Sequence, residues 1–180
     1  MTAASRRIVF ATFGSLGDLH PYLALARELK ARGHRPLVAT HPGYRPRVEA
    51  DGVDFHPVRP DMSVFGDETV LMKKVMSAQG GPEFIIRRVI MPHLRESAAD
   101  LAEALVGADF LLSHTLTFAG PLLAEQRGLP WASTVLAPTG FFSNLDPPVL
   151  APMPALTRLR ALGPGFYAGF MKQLKKMSFG

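Results

Sequence analysis

An aspartate, Asp18, ends a predicted short turn over residues 14–18 that contains two glycines, Gly14 and Gly17, and a histidine, His20, follows it. A turn that leads from a strand into a helix directs backbone N–H groups and the positive end of the helix at one point, which suits a diphosphate or a sugar. Glycine permits the tight turn, and the Ser15 hydroxyl is a candidate donor to ligand oxygens. A carboxylate at this place either caps the helix or does acid–base chemistry. His20 lies close enough in sequence to contact the same ligand.

Four further histidines, at positions 34, 41, 56 and 93, do not have the paired spacing of metal ligands, and the chain has no cysteine. We therefore expect no metal site and no disulfide. The absence of cysteine fits a cytoplasmic protein. No apolar segment is long and unbroken enough to cross a bilayer, and the short apolar run after Ser5-Arg6-Arg7 is better interpreted as a strand than as a signal peptide.

The net charge of +5 comes from basic residues that are scattered along the 180-residue chain. Basic and aromatic residues are not interleaved as they are in RNA-binding surfaces, so no nucleic-acid partner is expected. A solvated basic surface is the simpler interpretation, and contact with an anionic donor or a membrane surface is the alternative.

The elements around the turn are well marked in the sequence. The apolar run Ile8–Ala11 predicts a buried strand. The helix after the turn has apolar residues at helical spacing, and Gly33 is placed to end it. The next strand is predicted at Arg35–Thr40, and a short helix at Tyr44–Ala50 ends near Gly52.

The rest of the chain continues the alternation of strands and helices. Further strands are predicted at Asp54–Val58, Phe110–Ser113 and Trp131–Leu136. Further helices are predicted at Glu68–Met76, at Glu83–Leu105 with an interruption at Pro92, at Phe118–Arg127, at Ala155–Leu162 and at Phe166–Met177. This order predicts an α/β fold, a Rossmann-like, doubly wound parallel sheet with helices on both faces.

A proline-rich segment, Ala137–Pro154, has five prolines in 18 residues and is predicted to be a functional loop. We expect one domain over residues 1–154 and a helical tail or linker over residues 155–180. A nucleotide-sugar or NAD(P) oxidoreductase domain is one alternative for such a fold. A nicotinamide dinucleotide site requires a third glycine in the turn and an acidic residue at the end of the second strand, and this chain has neither.

The sequence around the turn, GSLGDLHP at 14–21 with Gly33-His34 after the helix, resembles the amino-terminal domain of GT-B glycosyltransferases. It is most similar to the branch of sterol glucosyltransferases, glycopeptide-antibiotic glycosyltransferases and glycolipid rhamnosyltransferases. The segments Gly43–Phe55, Ala124–Pro130 and the loop with Asp146-Pro147-Pro148 agree with it. The resemblance covers nearly the whole chain.

The resemblance implies roles for individual residues. Asp18 stands where this branch has a catalytic base, and His114 stands where histidine-dependent relatives have its partner aspartate. This implies a reversed dyad in which His114 orients Asp18 or accepts its proton. The alternatives are that Asp18 only caps the helix and that His114 only lines the cleft. Gly14, Ser15 and Gly17 would form the loop that faces the donor.

The resemblance also implies a substrate pair and a partner. An apolar acceptor would bind among aromatic residues and the segment Met62–Met76, and a nucleotide-diphosphate sugar would be the co-substrate, with no cofactor. The candidate acceptor walls are Phe13, His114, Phe118, Pro138, Thr139, Phe141 and Phe142. The nucleotide-sugar-binding carboxy-terminal domain would be the missing partner. The apolar stripe Phe166, Phe170 and Leu174 would pack on that domain, with peripheral membrane contact as the alternative. A non-catalytic ligand-binding member of the family is the other alternative.

Overall fold

The computed structural model describes residues 4–66, 68–75, 77, 80–137 and 154–179. Contacts divide the chain into two units, Met1–Thr134 and Val135–Gly180. The first unit contains a five-stranded sheet in which every neighbouring pair is parallel, in the order β3-β2-β1-β4-β5. Its strands are β1 (Arg7–Ala11), β2 (Arg35–Thr40), β3 (Asp54–Pro57), β4 (Phe110–His114) and β5 (Trp131–Thr134).

Helices connect these strands. The α-helices are α1 (Leu16–Ala31), α2 (Arg45–Ala50), α3 (Glu68–Val75), α4 (Gly81–Phe84), α5 (Leu94–Ala104), α6 (Ala119–Gln126) and, in the second unit, α7 (Pro164–Phe179). Short 3-10 segments lie at Pro42–Tyr44, Met62–Phe65, Met91–His93 and Pro154–Leu162, and a π-helical segment lies at Ile85–Ile90. The predicted doubly wound α/β class is confirmed.

Side chains of the central strands alternate between two apolar cores. Ile8 and Phe10 point to the face that α1 and α2 cover, where Tyr22 and Val48 are buried. Val9 points to the opposite face, which α5 and α6 cover. Because both faces of the parallel sheet are covered, the central strand β1 is a continuous apolar run from Ile8 to Ala11 rather than an alternating one.

Several predicted boundaries differ from the observed ones by a few residues. The third strand ends at Pro57 rather than Val58, and the fifth ends at Thr134 rather than Leu136. The fourth strand extends one residue further than predicted, through His114. The predicted division of the chain at residue 154 stays a prediction.

The largest local difference concerns the first helix. The predicted turn included Gly17 and Asp18, but α1 begins at Leu16. Ser15 is its N-cap residue, and Asp18 occupies the third helical position. The sequence interpretation was wrong here because glycine in a first helical turn was taken as evidence of a loop, whereas a first turn tolerates it when the cap supplies the missing bonds.

The predicted helix Glu83–Leu105 is interrupted at Pro92, as expected, but in an unpredicted way. A π-helical segment precedes the proline, and the Met91 N–H donates to the carbonyl of Ile86. Proline cannot donate a backbone hydrogen bond, so the chain changes its helical pitch on either side of it. The result places Phe84, Val89 and Ile90 in a third apolar cluster with Phe13.

The central strands β1 and β4 define the switch point of the sheet. The chain leaves β1 into α1 on one face and leaves β4 into α6 on the other face. Because these two connections diverge, a crevice forms between them at the carboxyl ends of the strands. This crevice is where ligands bind in sheets of this kind.

Candidate active site

Asp18 and His114 come together at the switch point. β1 and β4 are hydrogen-bonded neighbours, with Ala11 opposite Ser113. His114 is therefore the last strand residue beside the turn that leads into α1. The Nε2 atom of His114 lies 3.7 Å from Oδ1 of Asp18. This separation is within ion-pair range and longer than a hydrogen bond.

The two carboxylate oxygens of Asp18 have different surroundings. Oδ2 accepts a hydrogen bond of 2.7 Å from the backbone N–H of Ser15 and one of 3.0 Å from the Ser15 hydroxyl. Oδ1 faces His114 instead. The side chain is 31% exposed and lines a cavity. One oxygen therefore caps the helix, while the carboxylate as a whole remains accessible from the cavity.

His114 is nearly buried, with 7% of its side chain exposed. Burial lowers the pKa of His114 below its usual value; the negative charge of Asp18 and the backbone carbonyl of Phe13 act in the opposite direction without cancelling it. The ring meets Tyr22 edge to face, with 6.4 Å between ring centroids. Nδ1 is buried and has no hydrogen-bond partner among the described residues. His114 is therefore a neutral imidazole at neutral pH.

Tyr22 holds this arrangement from the α1 side. Its hydroxyl is hydrogen-bonded to the hydroxyl of Thr134, which donates in turn to the carbonyl of Ser113. Burial is the main cause that raises the pKa of Tyr22. These bonds connect α1 to the carboxyl ends of β4 and β5, so the residues on either side of the switch point are fixed relative to each other.

The cavity at this end of the sheet has a volume of about 590 Å³. Polar residues line it at the start of α1, after β2 and at the 3-10 segment Met62–Phe65, and apolar side chains from α3, the π-helical segment and the loop after β4 form the rest of the wall. It is lined by Phe13, Gly14, Ser15, Asp18, His41, Gly43, Tyr44, Asp61, Met62, Ser63, Gly66, Leu71, Val75, Ile85, Val89 and Leu116. Its size and mixed lining are typical of a small-molecule site.

Several residues singled out in the sequence lie at this cavity and others do not. Phe13, Gly14, Ser15 and Asp18 line it, as do five residues of the segment Met62–Met76. Three candidate residues do not line it. His20 and Gly17 are exposed on the first turns of α1, and His114 is a buried neighbour of Asp18. Phe118 packs with Phe13 in the third apolar cluster and lines a separate cavity of about 30 Å³. Pro138, Thr139, Phe141 and Phe142 lie outside the described residues.

His41 and Tyr44 line the cavity although neither was a candidate site residue in the sequence. His41 directly follows β2, and its ring centroid lies 4.0 Å from that of Tyr44. The Tyr44 hydroxyl donates to the carbonyl of Gly14 at 3.2 Å. A usable signal existed in the sequence: His41 follows a predicted strand, and the carboxyl ends of parallel strands meet at one edge. At this position a nicotinamide-binding domain would have an acidic residue.

The described part of the chain has neither a metal-binding cluster nor a membrane-spanning helix. In that part of the chain, no three His, Cys, Asp or Glu side chains are grouped closely enough to hold a metal ion. Among the same residues, no helix has both the length and the apolar character needed to cross a bilayer. In α7, Phe166 is exposed and Phe170 half-buried, and the side chain of Leu174 lies outside the described residues. Contact of this stripe with a membrane stays a prediction.

The fold is a Rossmann-like α/β domain with a cavity at its switch point, the place where ligands bind in folds of this class. The model of the glycosyltransferase family 28 N-terminal domain matches residues 8–139. The chain therefore belongs to this glycosyltransferase family, and the resemblance found in the sequence is confirmed.

Individual relatives agree with this assignment. The chain is 33% identical over 129 residues to a sterol 3-beta-glucosyltransferase of Neurospora crassa, a match that covers 69% of this chain and 8% of that protein. It is 33% identical over 147 residues to the sterol 3-beta-glucosyltransferase of Penicillium rubens, covering 75% of this chain and 10% of that protein. The chain thus spans about a tenth or less of these curated relatives.

A solved structure of the same kind is CalG4, the calicheamicin glycosyltransferase. It is 26% identical to this chain, with a TM-score of 0.56, and the match covers 73% of this chain and 32% of that structure. The fold of the chain is therefore that of GT-B glycosyltransferases.

Proposed function

We propose that this chain is the acceptor-binding domain of an inverting glycosyltransferase, with Asp18 as the general base. The observation that carries the proposal is the position of the Asp18 carboxylate, which lines a largely apolar cavity of about 590 Å³. Membership of glycosyltransferase family 28 supports the class of reaction. The names of the relatives support acceptors such as a sterol, a lipid or a natural-product aglycone.

The acceptor binds with its apolar body against the wall that includes Met62, Ile85 and Leu116. Its hydroxyl then lies beside Asp18, because that carboxylate lines the same cavity and can accept the hydroxyl proton. Met62 suits an irregular apolar ligand, since its unbranched thioether side chain adapts to different shapes. An apolar molecule with a single hydroxyl at one end fits this distribution better than a sugar does.

The chemical step is a displacement at the anomeric carbon. Asp18 takes the hydroxyl proton while the acceptor oxygen forms a bond to that carbon. The bond from the carbon to the diphosphate oxygen breaks, and the nucleoside diphosphate leaves with the electron pair. Attack from the face opposite the leaving group inverts the configuration. The sugar donor is held mainly by a second domain, and no metal or cofactor takes part.

His114 has an orienting role in this scheme. We assign the tautomer with the proton on Nε2, which directs an N–H at Oδ1 of Asp18 and leaves the buried Nδ1 as an unprotonated lone pair. A neutral imidazole is the form that burial favours. In this tautomer the Nε2–H dipole faces Oδ1 at 3.7 Å and attracts the carboxylate, so His114 orients Asp18 rather than accepting its proton.

Replacement of Asp18 by asparagine in the full-length protein tests the proposal. Asparagine keeps the size of the side chain and its hydrogen-bonding to Ser15 but cannot accept the proton. We expect turnover to fall by about 10³-fold, the middle of the range for loss of a general base, with acceptor binding retained. The measurement is transfer of labelled sugar from a nucleotide-sugar to a sterol or aglycone acceptor. Unchanged turnover would show that Asp18 only caps the helix.

A further inference from the structure

The loop before α1 was interpreted from the sequence as a cradle for donor phosphate, but its contacts are directed at Asp18. Both hydrogen bonds that the structure gives Oδ2 of Asp18 come from Ser15, one from the backbone N–H at 2.7 Å and one from the hydroxyl at 3.0 Å. The polar groups of Ser15 are therefore already engaged within the loop.

Gly14 makes room for the same carboxylate. Its φ angle of 138° lies in the region that favours glycine. A Cβ at this residue would overlap the carboxylate of Asp18. Glycine at this position is therefore required by the side chain of Asp18 as well as by the backbone conformation.

Tyr44 holds the loop from the other side of the cavity. Its hydroxyl donates to the carbonyl of Gly14 at 3.2 Å. The 3-10 segment that follows β2 is thereby tied to the turn that follows β1. The backbone of Asp18 is fixed as well, because its carbonyl accepts a hydrogen bond from the Thr12 hydroxyl at 3.1 Å.

We propose that Ser15 is a positioning residue for the general base: it holds Oδ2 of Asp18 so that the carboxylate stays at the cavity with Oδ1 toward His114. This inference rests on the proposed function of Asp18. It assigns the Gly14–Ser15 turn to the acceptor side of the reaction rather than to recognition of the donor diphosphate. Two donors on one oxygen fix the carboxylate about its side-chain bonds, which a single donor does not achieve.

The test is Ser15→Ala in the full-length protein, assayed for sugar transfer across a range of pH. We expect kcat to fall about tenfold, the effect of losing one hydrogen bond to a charged group, with the KM for the nucleotide-sugar unchanged. The acid limb of the pH profile moves to higher pH, because the charged form of the base loses a donor. Ser15→Thr keeps the hydroxyl and restores both quantities.

Four other titratable side chains face Asp18 or line its cavity. The titratable groups that face Asp18 are His114 on β4 and Tyr22 on α1, and His41 and Asp61 line the same cavity. Ser15→Ala leaves all four in place. A shift in Ser15→Ala that Ser15→Thr reverses therefore reports the bond from the Ser15 hydroxyl to Asp18.

Asp109→Asn provides a matched control for lost stability. Asp109 accepts the backbone N–H of Arg7 at 2.7 Å, at the opposite end of the same sheet. If Ser15 were only a helix cap, Ser15→Ala would behave like Asp109→Asn, with a lower Tm and an unchanged pH profile, and the inference would be wrong. A raised KM for the nucleotide-sugar with unchanged kcat would also overturn it, by making Ser15 a donor ligand.

The two proposals fail in different ways. If Asp18→Asn leaves turnover unchanged, the proposed general base is wrong. If Asp18→Asn abolishes turnover while Ser15→Ala has no effect on kcat or on the pH profile, only the positioning role of Ser15 is wrong.

Discussion

The two ends of β1 each have an aspartate and a histidine beside them, yet the surroundings of the two pairs differ. At the amino end, Asp109 accepts the backbone N–H of Arg7 at 2.7 Å, and Nδ1 of His34 accepts the backbone N–H of Arg6 at 3.3 Å. At the carboxyl end, Asp18 and His114 face each other at 3.7 Å. At the amino end both side chains therefore accept backbone N–H groups. At the carboxyl end Asp18 also accepts a backbone N–H, from Ser15, but its other oxygen faces His114.

This comparison shows that residue type and distance from a strand do not define a catalytic site. Asp109 and His34 satisfy backbone donors at the start of the sheet, where no described cavity is lined by them. Asp18 lies at the switch point, where the connections on either side diverge and leave a cavity. A catalytic site requires a polar side chain that lines a cavity large enough for a substrate.

Of the predictions that compare the two ends of β1, the largest expected effect comes from filling the cavity at the carboxyl end. Ile85 lines the cavity, whereas its neighbour Ile86 is exposed. We expect Ile85→Trp to raise the KM for the acceptor about twentyfold, equivalent to about 2 kcal/mol of overpacking. The KM for the nucleotide-sugar stays unchanged. The measurement is initial-rate kinetics with each substrate varied in turn.

Ile86→Trp is the matched control for that prediction. It adds the same side chain one residue away and outside the cavity, so both KM values should stay at their wild-type levels. Equal effects of the two substitutions would mean that the acceptor does not occupy this cavity.

The next effect concerns the two histidines. We expect His114→Gln to lower kcat about tenfold, because the ring N–H that faces the base at 3.7 Å and orients it is lost. His34→Gln should leave kcat unchanged, since His34 contacts only the far end of β1 through the Arg6 N–H. Steady-state kinetics on both variants checks the contrast, and equal losses of kcat would remove the orienting role of His114.

His114 also predicts a pH dependence of stability. Burial lowers the pKa of His114 below 6.5, so the unfolded chain binds a proton more readily than the folded chain. Its contribution to stability is fully present above about pH 6.5 and is lost as the pH falls from there toward the folded-state pKa. Thermal unfolding at pH 7.5 and 5.5 should show a decrease in Tm that is smaller, by a few degrees, in His114→Gln. An identical decrease in both proteins would contradict this assignment.

The smallest effect is expected at the amino end. Asp109→Asn weakens a hydrogen bond to a backbone N–H, so we expect a loss of about 1 kcal/mol in the free energy of unfolding. Turnover should stay within about twofold of wild type, as for substitutions remote from a reacting centre. Denaturant unfolding and the transfer assay measure the two quantities. A large loss of turnover here would mean that the two ends of β1 are not functionally distinct.

The sequence alone predicted most of the fold for identifiable reasons. Continuous apolar runs such as Ile8–Ala11 can only be buried strands of a covered parallel sheet, and helical spacing between them requires crossovers. Pro92 marked an interruption because proline has no backbone donor. The π-helical segment before it was not predictable, since it depends on how Val89 and Ile90 pack against Phe13.

For the candidate site, the sequence identified Asp18 and His114 by resemblance and gave two readings of Asp18, a helix cap or a base. The structure shows that one carboxylate oxygen serves the cap while the side chain still lines the cavity. The sequence did not identify His41 or Tyr44 as site residues, because the hydrogen bond from Tyr44 to Gly14 joins segments that follow two different strands, and His41 contacts Tyr44. Phe118 was grouped with the acceptor wall on residue type alone, and it packs in the third apolar cluster.

The sequence by itself determined the order of strands and helices, the parallel sheet and the family, because these depend on local periodicity and on matched motifs. The tertiary structure decided which polar side chains line a cavity and which only form hydrogen bonds with the backbone. That division depends on the strand order, which brings β1 beside β4 across about 100 residues of chain and opens the crevice at their carboxyl ends. No local pattern records such a juxtaposition, since it arises from contacts between residues far apart in the chain.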